Sequence, residues 1–179
     1  MESALNACIP LGGMHHHHAM NRPYETIGAG LVVAGDRQQR MRALVDALWE
    51  GLSARGVSWV GFYLHEGDDE LVLGPSRDKP ACSPIGLHGA CGRALIEKRP
   101  LVVRDVADLG ESYVACDPRD RSELVLPLFE PDGTCWGVLD LDSFDIAAFD
   151  QADAEGLLGL LEVSGLTTTA LPKADAIVI

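Results

Sequence analysis

The sequence has no run of 18 or more apolar residues, which excludes a membrane-spanning helix. Its start lacks the basic residues and unbroken apolar core of a secretory signal, so the cytoplasm is the expected compartment. Basic side chains are scarce, 14 against 27 acidic ones, for a formal net charge of −13. A field of that sign repels phosphate backbones and disfavours nucleic acid, while a small ligand bearing an ammonium is tolerated. No CxxC pair occurs among Cys8, Cys82, Cys91, Cys116 and Cys135, so a thioredoxin-type site and a zinc ribbon both lack their spacing. There is no Gly-x-Gly-x-x-Gly after a strand, no P-loop and no internal repeat. No metal, flavin or nucleotide cofactor is expected.

At 179 residues the chain fits one domain. A chain of that length buries well over half of its unfolded surface and needs neither disulfide nor metal to fold. Its 47% apolar and 23% charged residues are those of a globular protein. An odd cysteine count in such a chain suits a reducing compartment, where paired thiols are catalytic or redox-sensing more often than structural. Residues 1–35 read as an accessory segment, with the run His15 to His18 as a tag or low-complexity tail. The folded domain is expected over 36–166, and 167–179 as a C-terminal tail.

Asp36 reads as an N-cap, and Met41, Leu44, Val45, Leu48 and Leu52 recur at helical spacing, predicting an amphipathic helix over 37–52. β-rich runs at 57–64 and 70–73 flank a turn at Gly67, Asp68 and Asp69. Residues 75–89 hold several turn-formers and read as a loop, 90–98 as a short helix, 101–103 as a short strand and 109–121 as a second loop. Strands at 123–129 and 136–141 join through Pro131, Asp132 and Gly133, and Asp150 caps a last helix with Leu157, Leu158 and Leu161 on its stripe. Hairpins imply antiparallel pairing and the terminal helices cover one face, so the fold class is α+β with a central antiparallel sheet.

Cys82, Cys91 and Cys116 fall in or beside the two long loops, where functional groups concentrate. Cys91, at the start of a short helix, could have its thiolate favoured by the N-terminal amides. Cysteine is also a common small buried hydrophobe, and Cys135 at a hairpin reads that way. Alternation along a strand puts Asp140 and Asp142 on one face, with Glu123 near them if the two strands pair. Three carboxylates together repel, so at least one pKa should rise and leave a neutral acid. A solvated strand end and a cluster awaiting a divalent cation are the alternatives. Trp59 and Tyr63 share a face of the first strand and either wall a pocket or pack the core.

Taken in order, "SWVGFYL", "LVLGPSRDKPACSPI", "GACG", "VVRDV", "ACDPRDRSELVLPLF" and "GVLDLDS" resemble the free methionine-(R)-sulfoxide reductases, a catalytic branch of the GAF-domain superfamily. The matching stretches run from about Ser58 to Ser143. The resemblance implies a six-stranded antiparallel sheet with helices on one side and a closed pocket on the other. It also implies reduction of the free amino acid, with regeneration through thioredoxin. By this likeness Cys116 is the nucleophile, Cys82 the principal resolving thiol and Cys91 a further resolving or relay thiol. Glu123, Asp140 and Asp142 line the substrate site, and Trp59 and Tyr63 embrace the methyl and sulfoxide end. Two departures stand out. The loop between Cys82 and Cys91 is one residue shorter than the family pattern and reads "GLHGACG", and the hairpin "EPDGTCW" is slightly longer, with its tip expected away from the pocket.

On this likeness Cys116 attacks the sulfoxide sulfur while a neutral Glu123 assists the oxygen. The resulting sulfenic acid condenses with Cys82, and an external dithiol reopens the disulfide. Asp140 and Asp142 pair with the substrate ammonium, which selects the free amino acid. A non-catalytic GAF sensor of a small ligand and a cysteine redox switch are the rival readings. Homodimer formation is left open.

Overall fold

The computed structural model describes residues 22–67, 69–112, 116–168 and 175–179. Cys8, the His15–His18 run and Asp68 lie outside them. The order is α1 (Tyr24–Gly30), α2 (Arg37–Leu52), β1 (Trp59–Leu64), β2 (Glu70–Arg77), β3 (Ile85–Gly86), α3 (Ala90–Glu97), β4 (Leu101–Val103), β5 (Ser122–Phe129), β6 (Cys135–Ser143), α4 (Gln151–Val163) and β7 (Ile177–Val178).

Local sequence sets the two long helices. The Asp36 carboxylate accepts from Gln39 N while the Gln39 side chain accepts from Asp36 N, both at 2.9 Å, so the pair satisfies two orphan donors at the start of α2. Asp150 does the same for α4, accepting from Ala152 N at 2.8 Å and Asp153 N at 3.1 Å. All five stripe residues of α2 are buried, and α4 buries Leu157, Leu160 and Leu161.

The strands form one sheet in the order β3-β2-β1-β6-β5-β4-β7. Six run antiparallel to their neighbours, and β7 adds a parallel edge beside β4. Because side chains alternate along a strand, each central strand feeds two cores. Val60, Phe62, Leu124, Leu126, Leu139 and Leu141 face the core built with α1, α2 and α4. Trp59, Tyr63, Val125 and Val138 face the other way, toward α3. The α+β architecture expected from the sequence is the one observed, and α3 supplies a helix on the second face as well.

Three segments differ from the sequence expectation. Strand β2 runs on through Pro75 to Arg77, with Ser76 opposite Gly61 and Arg77 opposite Val60. A register shift between Gly61 and Tyr63 takes up one extra residue, and such a bulge tolerates a proline that cannot donate to the ladder. Residues 22–30, expected to be accessory, join the fold. Arg22 Nη1 meets the Asp153 carboxylate at 2.7 Å, and Tyr24 OH donates to its other oxygen at 2.7 Å. Gly156 leaves room for the Tyr24 ring, since a Cβ there would lie 2.3 Å from it. The C-terminal residues 177–179 pair with β4, through Ile177 N to Pro100 O at 2.8 Å and Ile179 N to Val102 O at 3.0 Å. Both attachments depend on partners far away in sequence, which hydrophobic periodicity does not register.

Candidate active site

The register of the three central strands assembles an acidic wall. Asp142 pairs with Glu123 on one side and with Trp59 on the other, while Asp140 pairs with Gly61 and Val125. Glu123, Asp140 and Asp142 therefore share the face turned toward α3. Gly61 keeps that face open: a Cβ there would lie 2.3 Å from the Trp59 indole, which lies across it. The indole donates from Nε1 to Lys79 O at 3.0 Å, and its ring centroid lies 6.0 Å from that of Tyr63. Trp59, Tyr63, Cys91, Cys116, Asp120, Glu123, Asp140 and Asp142 all line one cavity. Its space amounts to about 500 Å³ only when the open mouth is counted.

The thiols occupy different depths. Cys82 and Cys116 are exposed at the mouth, where Cys82 N donates to Cys116 Sγ at 3.3 Å. Tyr63 OH donates to Cys82 O at 2.9 Å and lies 4.0 Å from Cys116 Sγ, so one phenol touches both cysteine loops. Cys91 is buried in the first turn of α3, with its Sγ donating to Asp140 Oδ2 at 3.4 Å. Cys135 is buried at the hairpin, its Sγ directed at Gly137 O at 3.5 Å.

The expected thiolate at Cys91 is overturned. Burial, followed by the charges of Asp140 and Glu123, raises its pKa well above the ordinary thiol value, and this outweighs the helix amides. Cys116 is pushed up to about 12, by burial first and then by its hydrogen bond with Cys82. The carboxylates move as the clustering predicts. Burial raises Glu123 and Asp142 well above the carboxylate range, with Asp140 as the next cause for both, and burial raises Asp140 to about 7.

Several site residues were not singled out in the sequence. Asp120 also lines the cavity; it accepts from Ser58 Oγ at 2.9 Å, and burial raises its pKa. At the mouth Lys79 forms an ion pair with Asp117, and Arg119 grips the same carboxylate through Nε at 3.0 Å and Nη2 at 2.7 Å. Both cations stack on Phe144, at 5.0 Å for Lys79 and 4.6 Å for Arg119. Lys79 lies three residues before Cys82 and Asp117 directly follows Cys116, so this cluster ties together the loops that carry the two exposed thiols. Asp117 and Asp120 stand in the quoted "ACDPRDR", a signal visible in the sequence but without a partner there. The hairpin tip, with Asp132 and Gly133, lines a separate groove beside His65 and Lys98, away from the acidic cavity.

The raised carboxylates make stability fall with pH. Folded Asp140 keeps its proton up to about pH 7, whereas the unfolded chain loses it near the ordinary value of 3.8. Between those values the folded state binds more protons, so raising the pH through this window favours unfolding. Asp140→Asn, which cannot ionise, should flatten that slope and stabilise the protein at pH 8 by a few kcal/mol. Urea unfolding of both proteins at pH 5 and pH 8 measures it; an equal slope in the variant would refute the assignment.

No helix among the described residues is long and apolar enough to cross a membrane. A family model described as GAF domain matches residues 34–164. The free methionine-R-sulfoxide reductase of Saccharomyces cerevisiae is 38% identical over 104 residues, covering 56% of this chain and 57% of that protein. That of Escherichia coli is 41% identical over 107 residues, covering 59% and 62%. The chain thus spans less than two thirds of the length of these curated relatives. The X-ray structure of free methionine-R-sulfoxide reductase from Neisseria meningitidis in complex with its substrate is 37% identical with a TM-score of 0.70, covering 79% of this chain and 83% of that one. A sheet carrying helices on its faces, the family model matched over residues 34–164 and this structural match together mean that the chain belongs to the GAF domain family, in the branch of the free methionine-R-sulfoxide reductases.

Proposed function

We propose that this chain reduces free L-methionine (R)-S-oxide to L-methionine with its own thiols. The observation that carries the reading is convergence: Cys116, a buried acidic wall and an aromatic wall all border one cavity. A sulfoxide sulfur is a poor electrophile until its oxygen is hydrogen-bonded or protonated, so thiol and acid must act together. Cys116 attacks the sulfur as its own proton leaves to water at the mouth. Glu123, neutral because it is buried among carboxylates, hydrogen-bonds the departing oxygen and lends it a proton. The oxygen passes to Cys116 as a sulfenic acid, and the substrate sulfur leaves as a thioether. Water at the mouth returns the proton that Glu123 gave up, so that thiol and sulfoxide become sulfenic acid and sulfide with no net proton consumed.

Cys82 then attacks the sulfenic sulfur and expels water, giving a Cys82–Cys116 disulfide. The 3.3 Å contact from Cys82 N to Cys116 Sγ supports this pairing, since it holds the two cysteine loops against each other. Cys91, buried and protonated against Asp140, takes no part in the first disulfide. An external dithiol of the thioredoxin class reopens the bridge at the exposed mouth, in the cytoplasm. Asp140 and Asp142 hold the substrate ammonium, whose charge draws the proton off the raised Asp142, and Trp59 and Tyr63 flank its methylthio end. A methionine within a peptide offers no ammonium to those carboxylates, which explains a preference for the free amino acid.

The test is an NADPH-coupled thioredoxin assay with each sulfoxide epimer. Turnover of the R epimer alone is expected. Disulfide formation by peroxide with turnover of neither epimer would establish the redox-switch reading instead. Cys82→Ser separates the two halves of the cycle. It should release about one methionine per protein in a rapid first turnover, with steady-state turnover reduced about 100-fold or more, because the sulfenic acid lacks its nearest thiol. Undiminished cycling in this variant would remove Cys82 from the resolving role.

A further inference from the structure

Cys91 does no work in the cycle above, yet its sulfur stands against the acidic wall. We propose that Cys91, Glu123 and Asp140 form a site for a borderline-soft divalent cation of the Zn2+ class, which occupies the floor of the substrate cavity and blocks it. One donor atom from each residue can be chosen so that all lie within 4.8 Å of one another, and all three residues are buried. Tetrahedral donors at bond lengths of about 2.0–2.3 Å stand roughly 3.3–3.8 Å apart, so side-chain rotations of the order of an ångström close the site.

The second observation is an orphan. Asp140 is 5% exposed, its Oδ2 accepts the Cys91 thiol, and its Oδ1 has no hydrogen-bond partner. A buried carboxylate oxygen left unpaired is costly, and in a cavity-lining residue it marks a place prepared for positive charge. An ammonium meets that need but gains nothing from sulfur. A thiolate beside two carboxylates is the donor set that Zn2+ and Co2+ favour over Mg2+ and Ca2+. The cation that bears on this wall from the mouth, Lys79, is already engaged by Asp117. Three protein ligands leave a fourth position open toward the cavity, which suits an exchangeable inhibitor more than a structural ion. The inhibitory consequence rests on the reductase reading; the metal site does not.

Co2+ added to the reduced full-length protein is the probe, because thiolate ligation gives a near-ultraviolet charge-transfer band that the histidine run cannot produce. One equivalent should develop the band, and Zn2+ should erase it. The band should vanish in Cys91→Ala and weaken more than about tenfold in Asp140→Asn, which keeps the shape of the wall. It should persist when Cys8, Cys82 and Cys116 are all replaced by serine. In the wild-type protein Zn2+ should raise the apparent KM for methionine sulfoxide and leave kcat unchanged. A band that survives in Cys91→Ala and disappears in the triple serine variant would put the metal on the exposed dithiol and overturn the proposal, as would no band at all. A protein that binds Co2+ through Cys91 yet reduces no sulfoxide would refute the reductase reading alone.

Discussion

Cys116→Ser should reduce no methionine-(R)-sulfoxide, with thioredoxin or with a small dithiol, while folding as the parent does. The sulfur is the only atom in the scheme that accepts the substrate's oxygen, and a serine hydroxyl cannot be oxidised in its place. The side chain lies exposed at the mouth, so its replacement should shift stability by no more than about 0.5 kcal/mol. Serine also leaves an oxygen near Cys82 N, whose contact with Cys116 Sγ is 3.3 Å. Loss of activity with an unchanged melting curve is therefore the expected pair of results. Residual R-epimer turnover above the uncatalysed rate would mean that another thiol does the chemistry.

Glu123→Gln should lower kcat by about 10²–10⁴-fold with much less change in KM. Glutamine fills the same space on β5 and still offers a hydrogen bond, but it cannot hand a proton to the oxygen. The pH profile gives the sharper test. Burial, and then Asp140, keeps Glu123 protonated well above the ordinary carboxylate range. Activity that depends on this proton is present below the raised pKa and declines as pH rises through it. That alkaline decline should be missing from the variant. The rising limb, set by removal of the Cys116 proton, should remain. Glu123, Asp140, Asp142 and Asp120 influence one another, so the measured midpoint belongs to the group and not to one carboxyl. An alkaline limb retained in full by Glu123→Gln would assign the acid to a neighbour.

Catalysis by a cluster of this kind opposes stability. A wall of four carboxyl groups, with Asp140 Oδ1 unpaired, is held in place by the core on the opposite face of the same strands. Leu124, Leu139 and Leu141 alternate along β5 and β6 with Glu123, Asp140 and Asp142, so the residues that anchor each strand also aim its acids. The ammonium of a bound substrate would offset part of that cost, which makes ligand binding a stabilising event as well.

The sequence by itself determined whatever depends on neighbours a few positions apart. The caps at Asp36 and Asp150, the apolar stripe of α2 and the strands around Trp59, Glu123 and Asp140 could all be read along the chain, because their signals are local and repeat with the period of the element. The shared face of Asp140 and Asp142 follows from the pleat alone. Tertiary structure decided what depends on residues from about forty to more than a hundred and twenty positions apart. It brought Arg22 and Tyr24 to Asp153, paired the C-terminal residues with β4, and tied Lys79 to Asp117 across the two thiol loops. It also reversed the expectation for Cys91. A helix start favours a thiolate through a few partial charges, but burial against Asp140 and Glu123 acts at closer range in a medium that screens little, and there desolvation wins.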